Sequence, residues 1–283
     1  MNKMAIRRFF VFVWVIVIGV LVHGQAFANL MISPTRIVIE GRERYATVHL
    51  VNNGPVEKNY SLEFVHNRVL PETGVYARVE SLEEGVFDLS EHLVFSPRRV
   101  RLRPGGKQTL RLALRRPAEI PPGDHRVSLR FSAMSVADLA DEMDLEPLAE
   151  GQKSASLTFN ISYSVPIFLR EGVPDIQPVI GDIRFERNES SGLLDAYVPL
   201  SRVPAESPYG IIGYLYVYHI DESGQQELVG EHMNTHVFPE INSKTFRVLL
   251  TKDITGGSLR FVLRDWKKNS DVIYAEKTIQ LAN

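Results

Sequence analysis

The 283-residue chain is 44% hydrophobic and 23% charged, which is globular composition and excludes wholesale disorder. A formal net charge of −2 argues against a generic nucleic-acid binder, which carries a strong basic excess. With no cysteine, disulfides, thiol nucleophiles, iron–sulfur clusters and Cys-ligated zinc are excluded.

The first segment reads as an export signal. Lys3, Arg7 and Arg8 form a basic start, Phe9 to Val22 is an apolar run, and Ala26-Phe27-Ala28 is a small-x-small cleavage pattern. Spanning a bilayer takes about 20 apolar residues, so the run is short for an anchor. Cleavage after Ala28 is expected, with no membrane insertion afterwards.

Beyond residue 28 the chain alternates at period two. Ile37 and Ile39, then Ala46, Val48 and Leu50, flank a turn at Glu40-Gly41-Arg42-Glu43. Asn52-Asn53-Gly54-Pro55 turns the chain into Tyr60, Leu62 and Phe64. Val94-Phe95, Val100 and Leu102, and Leu110, Leu112 and Leu114 follow, with Pro104-Gly105-Gly106 between the last two. Pro121-Pro122-Gly123 leads into Val127, Leu129 and Phe131. Short strands with Gly/Pro turns predict a sandwich or barrel.

Residues 134–153 break this rhythm. They are acidic, with Leu and Met at helical spacing, and read as a helical or disordered loop. The spacing fits no calcium loop. Leu157 to Leu169 is the most regular strand, with Leu157, Phe159, Ile161, Tyr163, Val165 and Ile167 on one face. A linker at 171–175 holds Gly172 and Pro174. Further strands are expected at Leu194–Leu200, Ile211–Ile220, Thr245–Leu250, Ser258–Arg264 and Val272–Ile279. The expected organisation is all-β: a signal peptide at 1–28, an immunoglobulin-like sandwich at 29–170, the linker, and a second β-sandwich at 176–283.

No Gly-x-Ser-x-Gly elbow, P-loop or dinucleotide fingerprint occurs, so no enzyme activity and no cofactor are expected. His219, His232 and His236 are expected to be surface histidines rather than a zinc site. The arginines at 98, 99, 101, 103, 111, 115 and 116 lie on strands as a solvated face or a site for phosphate or an acidic partner.

Three stretches carry a resemblance. Pro34-Thr35-Arg36-Ile37-Val38-Ile39-Glu40-Gly41 followed by Ala46-Thr47-Val48-x-Leu50-Val51-Asn52 resembles the first two strands of periplasmic pilus-assembly chaperones of the chaperone–usher pathway. Phe95-Ser96-Pro97, Leu102-x-Pro104-Gly105 and Leu110-x-Leu112 are similar to that family's middle strands. Leu157-x-Phe159-x-Ile161-x-Tyr163, running into Ile167-Phe168-Leu169-Arg170, resembles its G1 strand. The resemblance covers about residues 30–172.

It implies a mechanism. Pilus subunits are sandwiches lacking a last strand, which exposes core and an unpaired edge. The chaperone lends its G1 strand to fill the gap. The matching donors here are Leu157, Phe159, Ile161 and Tyr163; three such chains bury roughly 5–9 kcal/mol, partly offset by association costs. The opposing reading packs this face into the chain's own sandwich. The resemblance also implies that Arg36 anchors the subunit's C-terminal carboxylate in the cleft between domains. Aligning Arg170 with the family's strand-end Arg puts Pro166 where its Lys stands, and Val127 near the place of its acidic partner. Pro166 belongs on an edge strand or at a bulge. These departures point to a divergent branch, in which the family's fixed ion pair between domains is not counted on. The implied partners are pilus subunits and an outer-membrane usher, in the Gram-negative periplasm. Two other readings stand beside it. One is a secreted adhesin or pilus subunit. The other is a carbohydrate-active sandwich using Asp138 and Asp141, which lie in the irregular acidic stretch.

Overall fold

The alternating segments fold as strands, and each buries the face on which its apolar residues recur. The computed structural model describes residues 30–70, 76–134, 161–267 and 270–281. The signal segment, the acidic stretch beyond Met134, and Leu157 and Phe159 lie outside the described residues.

The N-terminal half contains β1 (Leu30–Ser33), β2 (Ile37–Glu40), β3 (Tyr45–Asn52), β4 (Lys58–Val69), β5 (Tyr76–Val79), β6 (Leu93–Ser96), β7 (Arg99–Leu102), β8 (Lys107–Leu114), β9 (Gly123–Ala133) and β10 (Ser162–Glu171). The C-terminal half contains β11 (Gln177–Ile180), β12 (Arg184–Arg187), β13 (Leu194–Val203), β14 (Ile211–Ile220), β15 (Gln226–Val237), β16 (Ser243–Leu249), β17 (Ser258–Asp265) and β18 (Ile273–Gln280). The described helical content is a single 3-10 turn at Leu89–His92. Its N-cap Asp88 accepts a hydrogen bond from the Ser90 N–H at 2.8 Å.

In the first sandwich the sheet β1-β3-β8-β6 faces the sheet β2-β10-β9-β4-β5, with β7 also paired to β4. Val48, Leu50, Leu110 and Leu112 from one meet Leu62, Leu129, Phe131 and Ile167 from the other. In the second sandwich β11, β12 and β16 pair with β13, and the opposing sheet runs β15-β14-β17-β18. Val198, Phe246 and Val248 there meet Leu215, Val217 and Phe261. The all-β, two-sandwich architecture agrees with the expectation.

The two sandwiches share a seam. Val38, Val69 and Phe168 point out of the first core and join the second. Phe168 stacks on Phe238, ring centroids 5.7 Å apart. This explains why Val165 and Ile167 to Arg170 are buried without alternation: odd positions face their own core and even ones the other domain. Backbone approach is close at the junction. Gly123 has φ +135°, and a Cβ there would lie 2.9 Å from the Pro208 Cβ.

Strands β5, β11, β12 and β15 have no counterpart in the sequence reading. β5 and β12 are four residues long and expose much of their surface. In β15 polar residues and Gly230 interrupt the apolar alternation. Their pairing partners, rather than their own pattern, make them strands.

Candidate functional site

The site begins with one strand and its borders. β9 pairs with β10 along its whole length, Ser162 to Glu171. On the other side β2 pairs in parallel with only Ile167 to Arg170. β1, just upstream of β2, has crossed to the opposite sheet and pairs with β3. Among the described residues, Ser162 to Pro166 therefore keep one border with no strand against it. Pro166, which has no N–H, ends this open segment, as an edge position allows.

The side chains along the open segment grade from inside to outside. Val165 is buried, Tyr163 is half-buried against the first core, and Ile161 is 59% exposed. An exposed apolar residue leading into an unpaired edge is a template for pairing with another strand. Of the expected donors, Ile161 offers a free apolar chain and Tyr163 shares its ring with its own core; Leu157 and Phe159 fall outside the described residues.

Arg36 immediately precedes β2 and lies at the cleft between the domains. Its Nη1 donates to the Thr235 carbonyl at 3.3 Å, and its guanidinium lies 5.3 Å from the Tyr214 ring centroid. It lines an open groove of about 510 Å³ with Thr35, Glu43, Tyr214, Asn234 and Trp266. Burial lowers its pKa, and among the described residues no carboxylate pairs with it. A guanidinium so placed can take a carboxylate from a ligand.

The strand-end Arg170 does have an acidic partner, Asp124 on the neighbouring β9 of the same domain, and the pair reaches the second domain through the Gly210 backbone. Arg170 donates from Nε to Asp124 Oδ1 and from Nη2 to Asp124 Oδ2, both at 2.7 Å. Nη2 also donates to the Gly210 carbonyl at 2.7 Å, while the Gly210 N–H donates to Asp124 Oδ2 at 2.8 Å. Burial acts to lower the Arg170 pKa, but Asp124 outweighs it and the net shift is upward. The acid stands three residues before Val127, opposite Arg170 in the β9–β10 register. The signal was therefore register, which an alignment by spacing misplaced.

The histidines also differ from expectation. His232 and His236 lie on β15 against the cleft rather than on open surface. His236 sits 4.4 Å from the Phe238 ring centroid, and its Nε2 meets the Tyr76 hydroxyl. Burial and then the cations Lys244, Arg36 and Arg126 push the His236 pKa down to about 3. His232 shifts down for the same leading reasons, burial and then Lys244. The sign follows from linkage. The unfolded chain takes up the His236 proton below about pH 6.5 and the folded chain does not, so stability present above pH 6.5 is lost as pH falls toward 3. His236→Gln is expected to flatten the fall in urea-unfolding free energy between pH 7 and 5 by up to ~2 kcal/mol. An unchanged pH slope in the variant would contradict the buried neutral imidazole.

Arg202 is a residue the sequence does not announce. It is 2% exposed and reaches only carbonyls. Nε donates to Ile241 at 2.9 Å; Nη1 donates to Ser207 at 2.8 Å and Tyr209 at 2.9 Å; Nη2 donates to Pro239 at 2.6 Å and to Ala205. It thereby holds the two loops that present Gly210 and Phe238 to the first domain.

No family model and no curated protein matches the sequence. Solved structures do show likeness. The CupB2 chaperone of Pseudomonas aeruginosa is 15% identical, with 89% of this chain and 99% of that one covered and a TM-score of 0.40. CsuC–CsuE, a chaperone–tip adhesion subunit pre-assembly complex from the archaic chaperone–usher Csu pili of Acinetobacter baumannii, gives 14% identity, 89% and 98% coverage and 0.40. The SafA pilin–SafB chaperone complex of Salmonella enterica gives 12%, 91% and 99%, and 0.40. Similarity at this level assigns no function, which rests on the site.

Proposed function

We propose that this chain is a non-enzymatic periplasmic chaperone that caps pilus subunits by lending them the open half of β10. The observation that carries this reading is the border along Ser162 to Pro166 that no described strand covers, led into by the exposed Ile161. Main-chain hydrogen bonds to an incomplete sandwich would hold it, and alternate side chains would fill the gap. The resemblance of the strand motifs to pilus-assembly chaperones supports the same reading. Export by the N-terminal signal and release to an outer-membrane usher belong to it.

Arg36 supplies the anchor for the subunit's C-terminal carboxylate. Its place at the cleft, without a carboxylate of its own, supports that role. The test is co-purification of co-expressed pilus subunits from periplasm. Arg36→Ala is expected to reduce capture by about tenfold, the worth of one charge-assisted hydrogen-bonding group. Lys107→Ala, on the exposed start of β8, is expected to leave capture unchanged. Equal effects of the two would remove the anchor role.

A further inference from the structure

The outer face of the second sandwich carries a row of aromatic rings. Tyr214, Tyr216 and Tyr218 alternate with the core residues Leu215 and Val217 along β14, so their rings stand on the side away from the core. The ring centroids of Tyr214 and Tyr216 are 6.4 Å apart, and those of Tyr216 and Tyr218 6.3 Å. Val262, opposite Tyr216 on β17, shares this side and is buried, although it belongs to neither core. The row is therefore packed down on the sheet as a firm surface. At the cleft end Arg36 covers Tyr214, its guanidinium 5.3 Å from the ring centroid. Tyr216 and Tyr218 have no described sheet over them, and Leu228 and Met233 on β15 and Ile273 on β18 are exposed beside the row.

Two charges stand on either side of Tyr216. Glu231 lies opposite it on β15. Arg264 reaches it from β17, on the other side of β14, with its guanidinium 5.8 Å from the Tyr216 ring centroid. Arg260, on the same strand, is paired with Glu276. Among the described residues neither the Glu231 nor the Arg264 side chain has a hydrogen-bond or ion-pair partner. Arg264 Nε is buried without an acceptor. A guanidinium half withdrawn from water is costly until an acceptor arrives. Burial raises the Tyr216 pKa; Glu231 adds to the rise and Arg264 opposes it, so both charges bear on one hydroxyl.

Such a face is complementary to itself. A two-fold axis lying along β14 between two copies sets Glu231 of each against Arg264 of the other, and brings the two tyrosine rows together. Tyrosine, methionine and arginine are the residues that protein interfaces concentrate. An unpaired anion on one flank and an unpaired cation on the other select a second copy over a partner of single charge. We infer that this chain pairs with a second copy of itself through the outer face of the sheet β15-β14-β17-β18, with crossed Glu231–Arg264 pairs on either side of Tyr216. The open border of β10 is on the first domain, so capture and pairing use separate surfaces and neither requires the other.

The test is sedimentation equilibrium of the full exported chain, free of subunits, from ~1 to ~200 µM, with melting midpoints measured alongside. Wild type is expected to dimerise with a Kd of about 10 µM. Arg264→Glu and Glu231→Arg each set like charges face to face, and each is expected to weaken dimerisation by at least ~30-fold. Mixed together, the two variants are expected to form a heterodimer within ~3-fold of the wild-type affinity, because both crossed pairs then join unlike charges. Should a reversal lower the melting midpoint, Arg264→Gln and Glu231→Gln take its place, each with an expected loss of ~10-fold. A wild type that stays monomeric throughout the range would overturn the inference, whatever other protein the face takes up. Dimers left intact by the charge variants would put the contact elsewhere and overturn it. A mixture of well-folded reversal variants that stays monomeric would overturn the crossed pairing and the inference with it.

Discussion

Asp124→Ala is expected to lower the unfolding free energy by about 3–5 kcal/mol, the cost of removing one member of a buried, fully bonded ion pair. Asp124 is 3% exposed at its side chain and Arg170 8%, so water cannot take over the lost bonds. The loss has two further parts. The Gly210 N–H loses its acceptor, and Arg170 keeps only the Gly210 carbonyl. Because Gly210 belongs to the second sandwich and Asp124 to the first, the damage falls on their junction. Calorimetric unfolding is the check. A single transition in the wild type and a separated, earlier one in the variant would match the expectation. A loss below about 1 kcal/mol would mean that the pair is not sealed from solvent.

Ile161→Glu is expected to abolish subunit capture while changing stability by less than about 0.5 kcal/mol, as surface substitutions do. Ile161 is 59% exposed, precedes β10 and has little to lose in the free protein. In a complex the same side chain would enter an apolar gap, where an unpaired carboxylate is costly. The contrast between unchanged stability and lost capture separates donation from a core role. Val165→Ala should show the reverse, because Val165 is 2% exposed in its own core. Its expected cost is about 2 kcal/mol of stability. Subunits co-purifying with Ile161→Glu at wild-type yield would remove this strand from the mechanism.

How much of this was legible in the sequence depends on what holds each element. β3, β4, β8, β9 and β17 announce themselves, because one face is buried and the alternation records it. β10 was legible in its direction but not in its borders. Which neighbour covers which half follows from β1 crossing to the other sheet, a choice made over only four residues. Asp124 escaped because the spacing argument looked near Val127, whereas the β9–β10 register puts the acid opposite Arg170. The histidines were misread for a related reason. His232 and His236 look solvent-facing in a polar stretch, and only the approach of Tyr76 and Phe238 makes their place apolar. Arg202 carries no pattern, since its partners are all backbone carbonyls. Arg36 was singled out only through a family motif; its contacts with Thr235 and Tyr214 across the cleft come from β14 and β15, which no local pattern around Arg36 announces.

The most direct measurement is amide hydrogen exchange across β10, in the free protein and in its complex with a co-expressed pilus subunit. Amides at Ile167 to Arg170 should be protected in both states, since β2 and β9 flank them. Those amides of Ser162 to Val165 that point away from β9 should exchange fast in the free protein and become protected in the complex. Protection of that segment before any subunit is added, or no change after, would contradict the lending of this strand.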